Sequence, residues 1–400
     1  MASHGSPSGG TRSHLVAYAV LSGAWHLSMA ALFLGLPVLV VALLDSRQHP
    51  ALILWAATMF AMLVLSLRVR GRGEAPGRVL TDEEAPRLHD LVDQARRAAG
   101  IGPVGEIRLS AHPTVGVTRV FRGGVLTTRP VKVLVVGLPL FRALTVPELE
   151  SILLHEFAHF LGQDVHRSER LATIEARFGN LRRAFDRTGL LRWVNPVYLW
   201  VRVYGWAFEV ATASIRRRQE VLADRLAAET CGPTVFARAL LKAAALRRLF
   251  FRTAARRLMA VVREGRPAPA NIFREAREAV RALSPEDRRR ALREVREAPE
   301  PARGTHPPLS ERLERLGRTW VPRRRLREER AARLVPCLEA VEEEMSPEAS
   351  RLVLAVLLVR ARRRGLSTLP AEPEAAPAGR PEPARVAASV LPLVAAAAGG

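Results

Sequence analysis

Residues 153–160 read Leu153-Leu154-His155-Glu156-Phe157-Ala158-His159-Phe160, an H-E-x-x-H pattern in an apolar, helix-forming setting. Positions four apart share one face of a helix, so His155 and His159 can aim two imidazole nitrogens at one metal ion. Glu156, beside the first histidine, can reach a water on that ion without binding the ion itself. Nitrogen ligands, an open coordination position and a carboxylate base are what zinc-assisted hydrolysis requires. Composition alone would produce this pattern in roughly one such chain in fifty, so a third ligand has to carry the reading. Downstream, Ser214–Arg225 reads as a helix stopped by Gly232-Pro233, and it sets Glu220 and Asp224 four apart on one face. Among arginines such an acidic pair is ordinarily a solvated, salt-bridged surface. After H-E-x-x-H it suits a carboxylate zinc ligand together with a second carboxylate that holds a ligating imidazole by its other N–H.

The elements that must position these groups are legible on both sides of them. Thr145-Val146-Pro147-Glu148 is a capping box that starts the motif helix, and Gly162 is a stop signal. Before it, Leu88, Leu91, Val92, Ala95 and Ala99 recur at helical spacing within Thr81–Ala99, with Gly100 as C-cap. Glu106–Ser110, Gly116–Phe121 and Val131–Val136 read as strands, so a small sheet feeds into the metal helix. After it, Trp193, Tyr198, Trp200, Tyr204, Trp206 and Phe208 crowd into 16 residues with Arg192, Arg202 and Glu209 around them. That segment, 182–212, fits either an amphipathic stretch at a membrane surface or a helix packed on the protein's own core. Residues 240–300 read as arginine-rich helices with a strong start at Ser284-Pro285-Glu286-Asp287. Thr305-His306-Pro307-Pro308 turns into a further helix carrying Arg312, and Ser346-Pro347-Glu348 starts the last one. The apolar run Leu352–Val359 in that helix is too short to cross a bilayer.

At the N-terminus, residues 1–14 are polar and Gly/Ser-rich and are expected to be disordered. Leu15–Leu44 is apolar and without formal charge, Asp45–Pro50 interrupts, and Ala51–Leu67 is apolar again. Both runs are long enough to span a bilayer, which predicts an antiparallel transmembrane hairpin over 15–67. Thirty apolar residues followed by a second run are too many for a signal peptide. Arg68, Arg70 and Arg72 after the second run, and Arg12 before the first, place both ends and everything downstream in the cytoplasm, so the lipid bilayer is an expected partner. A linker over 68–80 leads to the main domain. The chain carries 61 basic against 39 acidic side chains, and only Lys132 and Lys242 are lysines. A nucleic-acid partner is not expected, because no zinc-finger spacing, RNP aromatics or basic helix-turn-helix accompanies the charge. Cys231 and Cys337 are the two cysteines and read as small packed side chains in a reducing compartment.

With these motifs in order, residues 80–320 resemble the HtpX-like integral-membrane zinc metallopeptidases, the group that includes the CAAX prenyl endopeptidases. The matching pieces are His155-Glu156-Phe157-Ala158-His159 with Asp164 five residues on, Glu220-Val221-Leu222-Ala223-Asp224, and Thr305-His306-Pro307-Pro308 leading to Arg312. The resemblance implies one zinc ion per chain held by His155, His159 and Glu220, with Glu156 as catalytic base. It places Asp224 and Asp164 behind the ligands, and His306 and Arg312 near the oxyanion. The fold it implies is α+β and mostly helical: the hairpin, then a zincin-type metallopeptidase domain over 81–335 with a small β-sheet. A C-terminal helical segment over 336–365 and a disordered Pro/Ala-rich tail over 366–400 follow.

The function expected from the resemblance is a membrane-anchored zinc endopeptidase of the inner membrane. It would act on protein or peptide substrates in quality control of membrane or misfolded proteins. An inactive membrane scaffold that keeps the zinc fold, or an arginine-rich protein that binds anionic surfaces, are the competing classes. The intact Glu156 speaks against the scaffold, because a structural zinc site needs no base. In two places the chain departs from the family. Where relatives often carry Asn-Ala-Phe on the strand lining the substrate groove, it reads His112-Pro113-Thr114-Val115-Gly116-Val117. Where the HtpX type has a second pair of apolar spans, only the aromatic segment 182–212 stands.

Overall fold

The computed structural model describes residues 75–122, 129–160, 195–264, 266–297, 307–317 and 328–363, with a few isolated positions in 23–58 and 182–193. Apart from those isolated positions, the hairpin expected over 15–67 lies outside the described residues, as do both termini expected to be disordered, Asp164 and His306. Among the described residues no helix is long and apolar enough to cross a membrane.

The chain divides into two compact units, one made of 1–74, 119–130 and 162–221, the other of 75–118, 131–161 and 222–400. The second unit is built on the motif helix. Strand β1 (Arg78–Leu80) runs antiparallel to β2 (Glu106–Ser110), with Val79 opposite Arg108. Between them lies helix α1 (Pro86–Ala98). Strands β3 (Val115–Arg122) and β4 (Arg129–Gly137) complete a sheet of order β1-β2-β4-β3, with β2 and β4 parallel. β1 falls in the stretch read as linker, because three residues are too few to show an alternation. α1 starts five residues later than its apolar spacing suggests. Proline at the first helical position fixes that start, and Thr81–Glu84 forms a separate turn in which the Glu84 carboxylate accepts the Thr81 N–H at 3.0 Å. Gly100 adopts a left-handed φ of 66° after the helix, as a C-terminal glycine should.

Helix α2 (Leu138–Ala143) leads into the motif helix α3 (Val146–Ala158). The capping box forms: the Glu148 carboxylate accepts the Thr145 N–H at 2.9 Å. Leu149, Leu153, Leu154 and Phe157 are completely buried. At about 1.5–3 kcal/mol for each such side chain, burial rather than propensity holds α3 in place. The helix is shorter than a stop at Gly162 predicts. His159 already occupies its C-cap, yet keeps helical angles (φ −62°, ψ −14°), so the four-residue relation to His155 survives.

Helix α4 (Pro196–Cys231) joins two stretches that read separately in the sequence, the aromatic segment and the Glu220 helix. Its residues up to Val221 belong to the first unit and those from Leu222 to the second. Asn195 caps it, its side-chain oxygen accepting the N–H groups of Val197 and Tyr198 at 2.9 and 3.2 Å. Within the first unit α4 is apolar on two faces. Val197, Tyr198, Val201, Tyr204 and Phe208 are buried, while Leu199, Val203, Trp206 and Val210 are exposed. Trp193 and Phe185 pack on Tyr198 and the Arg202 guanidinium lies over the Trp193 ring at 4.8 Å.

Gly232 (φ 91°) ends α4 and α5 (Pro233–Arg263) follows, packed along α3. Then come α6 (Ile272–Ala282), α7 (Pro285–Arg296), α8 (Leu309–Arg315), a 3-10 turn (Ala331–Leu334), α9 (Leu338–Glu344) and α10 (Ser346–Arg363). Ser284 caps α7 by accepting the Asp287 N–H, as its sequence predicts. The segment from 336 on is part of the same core, to which it contributes Leu338, Val341, Met345, Ala349 and Val353. Completely buried Glu342 on α9 accepts both arms of Arg142 on α2 at 3.0 and 3.2 Å.

Candidate metal centre

His155, His159 and Glu220 place one ligand atom each within 4.8 Å of one another. His155 is 3% exposed and Glu220 4%, while Glu156 and His159 are half-buried. The two imidazoles meet edge to face with centroids 4.9 Å apart. Chelation by residues four apart follows from α3 alone. Glu220 comes from α4, one turn before Asp224, so the third ligand lies on a second helix.

Asp224 is buried and its Oδ1 lies 3.0 Å from Nδ1 of His155. A hydrogen bond from Nδ1–H leaves Nε2 with its lone pair for a metal. Arg312 on α8 is 6% exposed and holds Asp224 with a two-armed fork, Nη2 to Oδ1 at 2.6 Å and Nε to Oδ2 at 3.0 Å. Its Nη2 also approaches both ring nitrogens of His155 at 3.4–3.5 Å. Burial alone would raise the Asp224 carboxyl, but the hydrogen bonds and charges of His155 and Arg312 hold it down at about 2. Phe236 on α5 packs beneath this group, 5.7 Å from the His155 ring and 5.9 Å from the Arg312 guanidinium. Sequence reasoning missed Phe236, since one aromatic on an apolar helix face carries no signal of its own.

A second buried network fixes the start of α3. Glu148 is completely buried; it accepts Lys242 at 2.6 Å and forms an ion pair with Arg238 at 3.3 Å, both from α5. Arg238 also reaches Glu328, which accepts the Thr145 hydroxyl at 2.9 Å. The backbone around Glu328 pairs with the same turn: Val146 N–H donates to the Glu329 carbonyl at 2.8 Å and Ala331 N–H to the Leu144 carbonyl at 3.0 Å. Glu148 is legible in sequence as a cap, but its donor Lys242 lies 94 residues away.

His112, at the departure from the family's Asn-Ala-Phe, turns its ring edge to Phe251 at 5.3 Å. Its Nδ1 is buried without a hydrogen-bond partner, and burial together with the nearby Arg247 charge lowers its pKa.

Two imidazoles one turn apart, a carboxylate from a second helix and a buried acid behind the first histidine make up the ligand arrangement of a metallohydrolase with two histidines and one glutamate. The comparison with known families agrees: the sequence profile of peptidase family M48 matches residues 82–319. The chain belongs to that family, as an HtpX-like member, and is a protease. It is 27% identical over 264 residues to the Protease HtpX homolog of Pelotomaculum thermopropionicum, covering 60% of this chain and 78% of that one. It is 29% identical over 217 residues to the Protease HtpX homolog of Gemmatimonas aurantiaca, covering 51% and 70%. No solved structure matches the chain.

Proposed function

We propose that the chain is a membrane-anchored zinc endopeptidase, with one zinc ion held by His155, His159 and Glu220 and with Glu156 as general base. The observation that carries this reading is the convergence of those three ligand atoms within 4.8 Å, beside an aspartate that orients His155. Two imidazole nitrogens and one carboxylate suit zinc and leave coordination positions for water and substrate. Bound there, zinc supplies Lewis acidity toward water and a peptide carbonyl.

The chain's own residues do the rest. Glu156 takes the proton of the attacking water and delivers it to the leaving amine. Asp224 fixes the tautomer and ring orientation of His155. Arg312 spends two of its donor nitrogens on Asp224, so we assign it a positioning role through that carboxylate. We assign His306 to the oxyanion as the remaining donor and Asp164 to a position behind the ligands, as the resemblance to the family motif implies.

The substrates are proteins or peptides, in quality control of membrane or misfolded proteins. The apolar runs over 15–67 anchor the enzyme in the inner membrane, and Arg68, Arg70 and Arg72 keep its catalytic unit on the cytoplasmic side.

Purified full-length protein tests the chemistry. Wild type should carry one zinc per chain and hydrolyse an unfolded protein. Glu156→Gln should keep the zinc and lose nearly all turnover, because an amide cannot accept the proton. Glu220→Ala should lose both. Full activity and stoichiometric zinc in Glu220→Ala, or appreciable turnover in Glu156→Gln, would show the assignment to be wrong.

A further inference from the structure

α5 carries eight basic side chains and no acidic one. Four are neutralised: Arg238 by Glu148 and Glu328, Lys242 by Glu148, Arg248 by Glu294 and Arg257 by Glu275. The other four, Arg247, Arg252, Arg256 and Arg263, make no ion pair with any acid among the described residues; Arg247 lies on another side of the helix from the remaining three. Arg256 and Arg263 are exposed, and the half-buried Arg252 keeps a buried Nε without an acceptor. At about 100° per residue the three fall within about 40° of one another around the helix, with Met259 between them. The opposite face of α5 carries Phe250, Ala254, Leu258 and Val261 into the core. The stripe is therefore held rigidly along about three turns by a helix that cannot rotate without unpacking.

We propose that this arginine stripe docks on the anionic phospholipid headgroups of the membrane that anchors the chain, and so fixes how the catalytic unit faces the bilayer. The proposal rests on the membrane-anchored reading above. The last apolar residue of the expected hairpin is Leu67 and the described unit begins at Ala75. Eight extended residues span at most about 28 Å, so the unit is tethered within reach of the lipid surface. Arginine suits this partner, because its planar fork binds phosphate oxygens two at a time and gives up hydration more readily than an ammonium. A cytoplasmic leaflet presents such phosphates at high density, and each nearby arginine favours apposition by roughly fivefold. Three together would shift the balance on the order of a hundredfold, enough to make the docked orientation the dominant one.

The test uses the full chain carrying Met259→Cys, reconstituted in nanodiscs of phosphatidylcholine alone or mixed with phosphatidylglycerol. The readout is the rate at which position 259 reacts with a water-soluble maleimide. Peptide mass spectrometry separates that label from any on Cys231 and Cys337. The proposal expects labelling at least tenfold slower in phosphatidylglycerol discs. The protection should vanish when Arg252, Arg256 and Arg263 are all replaced by glutamine, and in about 1 M salt, where the screening length falls to about 3 Å. These substitutions alter side chains that are exposed or half-exposed, and a thermal melt confirms that the variant is folded. Equal labelling in both discs by a chain that co-elutes with them overturns the docking surface alone. A chain that fails to co-elute overturns the anchored reading and the proposal with it. Protection in phosphatidylcholine discs by excess inorganic phosphate identifies a free-anion site instead and also overturns the lipid surface.

Discussion

Replacing Arg312 with alanine separates two roles that the sequence alone leaves joined. In the structure both arms of its guanidinium are on Asp224, at 2.6 and 3.0 Å, and both residues are more than nine-tenths buried. Alanine would leave the carboxylate to His155 in a site that water scarcely enters. Removing one member of a buried charge pair costs about 3–5 kcal/mol. For a unit of this size that lowers the melting temperature by roughly 6–20 °C. The Asp224 carboxyl would rise from about 2 toward or above its usual range, and its hold on the Nδ1–H of His155 would weaken. In wild type, folded-state depression of this pKa stabilises the protein above pH about 4, and that contribution is lost as pH falls toward 2. In Arg312→Ala the loss should begin at higher pH. Zinc affinity should drop about 10- to 100-fold, the usual effect of disturbing a ligand's outer partner. The assays are a zinc-chelator competition, a thermal melt across pH, and kcat at saturating zinc. A cycle with Asp224→Asn decides the route: if Arg312 acts through Asp224, the double variant is little worse than either single one. Arg312→Lys keeps the charge but not the fork, and should fall between wild type and alanine. A large fall in kcat with unchanged zinc affinity and melting, additive with Asp224→Asn, would refute the positioning role and return Arg312 to the oxyanion.

Three further outcomes are expected. His306→Ala should lower kcat by roughly a hundredfold with KM and zinc content little changed, the scale for losing one oxyanion donor; loss of zinc would instead make it part of the metal site. Glu148→Ala strips Lys242 and the Thr145 N–H of a buried acceptor and Arg238 of an ion-pair partner, so it should destabilise by about 3 kcal/mol in chemical denaturation. A change below about 1 kcal/mol would mean the network at the start of α3 contributes little. A cysteine introduced near Arg72 should be shielded from a membrane-impermeant thiol reagent in intact cells and one near Gln48 labelled; the reverse pattern would put the catalytic unit outside.

The sequence determined what depends on neighbours along one helix. His155 and His159 share a face because four residues make about one turn, and Glu156 stands beside them for the same reason. Glu220 and Asp224 are paired by the same rule, and Gly100, Ser284 and Thr145 mark helix ends because the chemistry of a cap is local. Tertiary structure decided everything that joins one helix to another. Asp224 on α4 reaches His155 on α3, Arg312 crosses 88 residues to hold that aspartate, and Lys242 crosses 94 to hold Glu148. No periodicity encodes such pairings, since their cost and gain arise only when folding removes the charges from water. The same holds for α4. Two stretches that read as separate segments, one aromatic and one acidic, form a single helix that runs through Gly205 of the aromatic stretch without a break. Its continuity was decided by what packs along it, not by the residue that could have interrupted it.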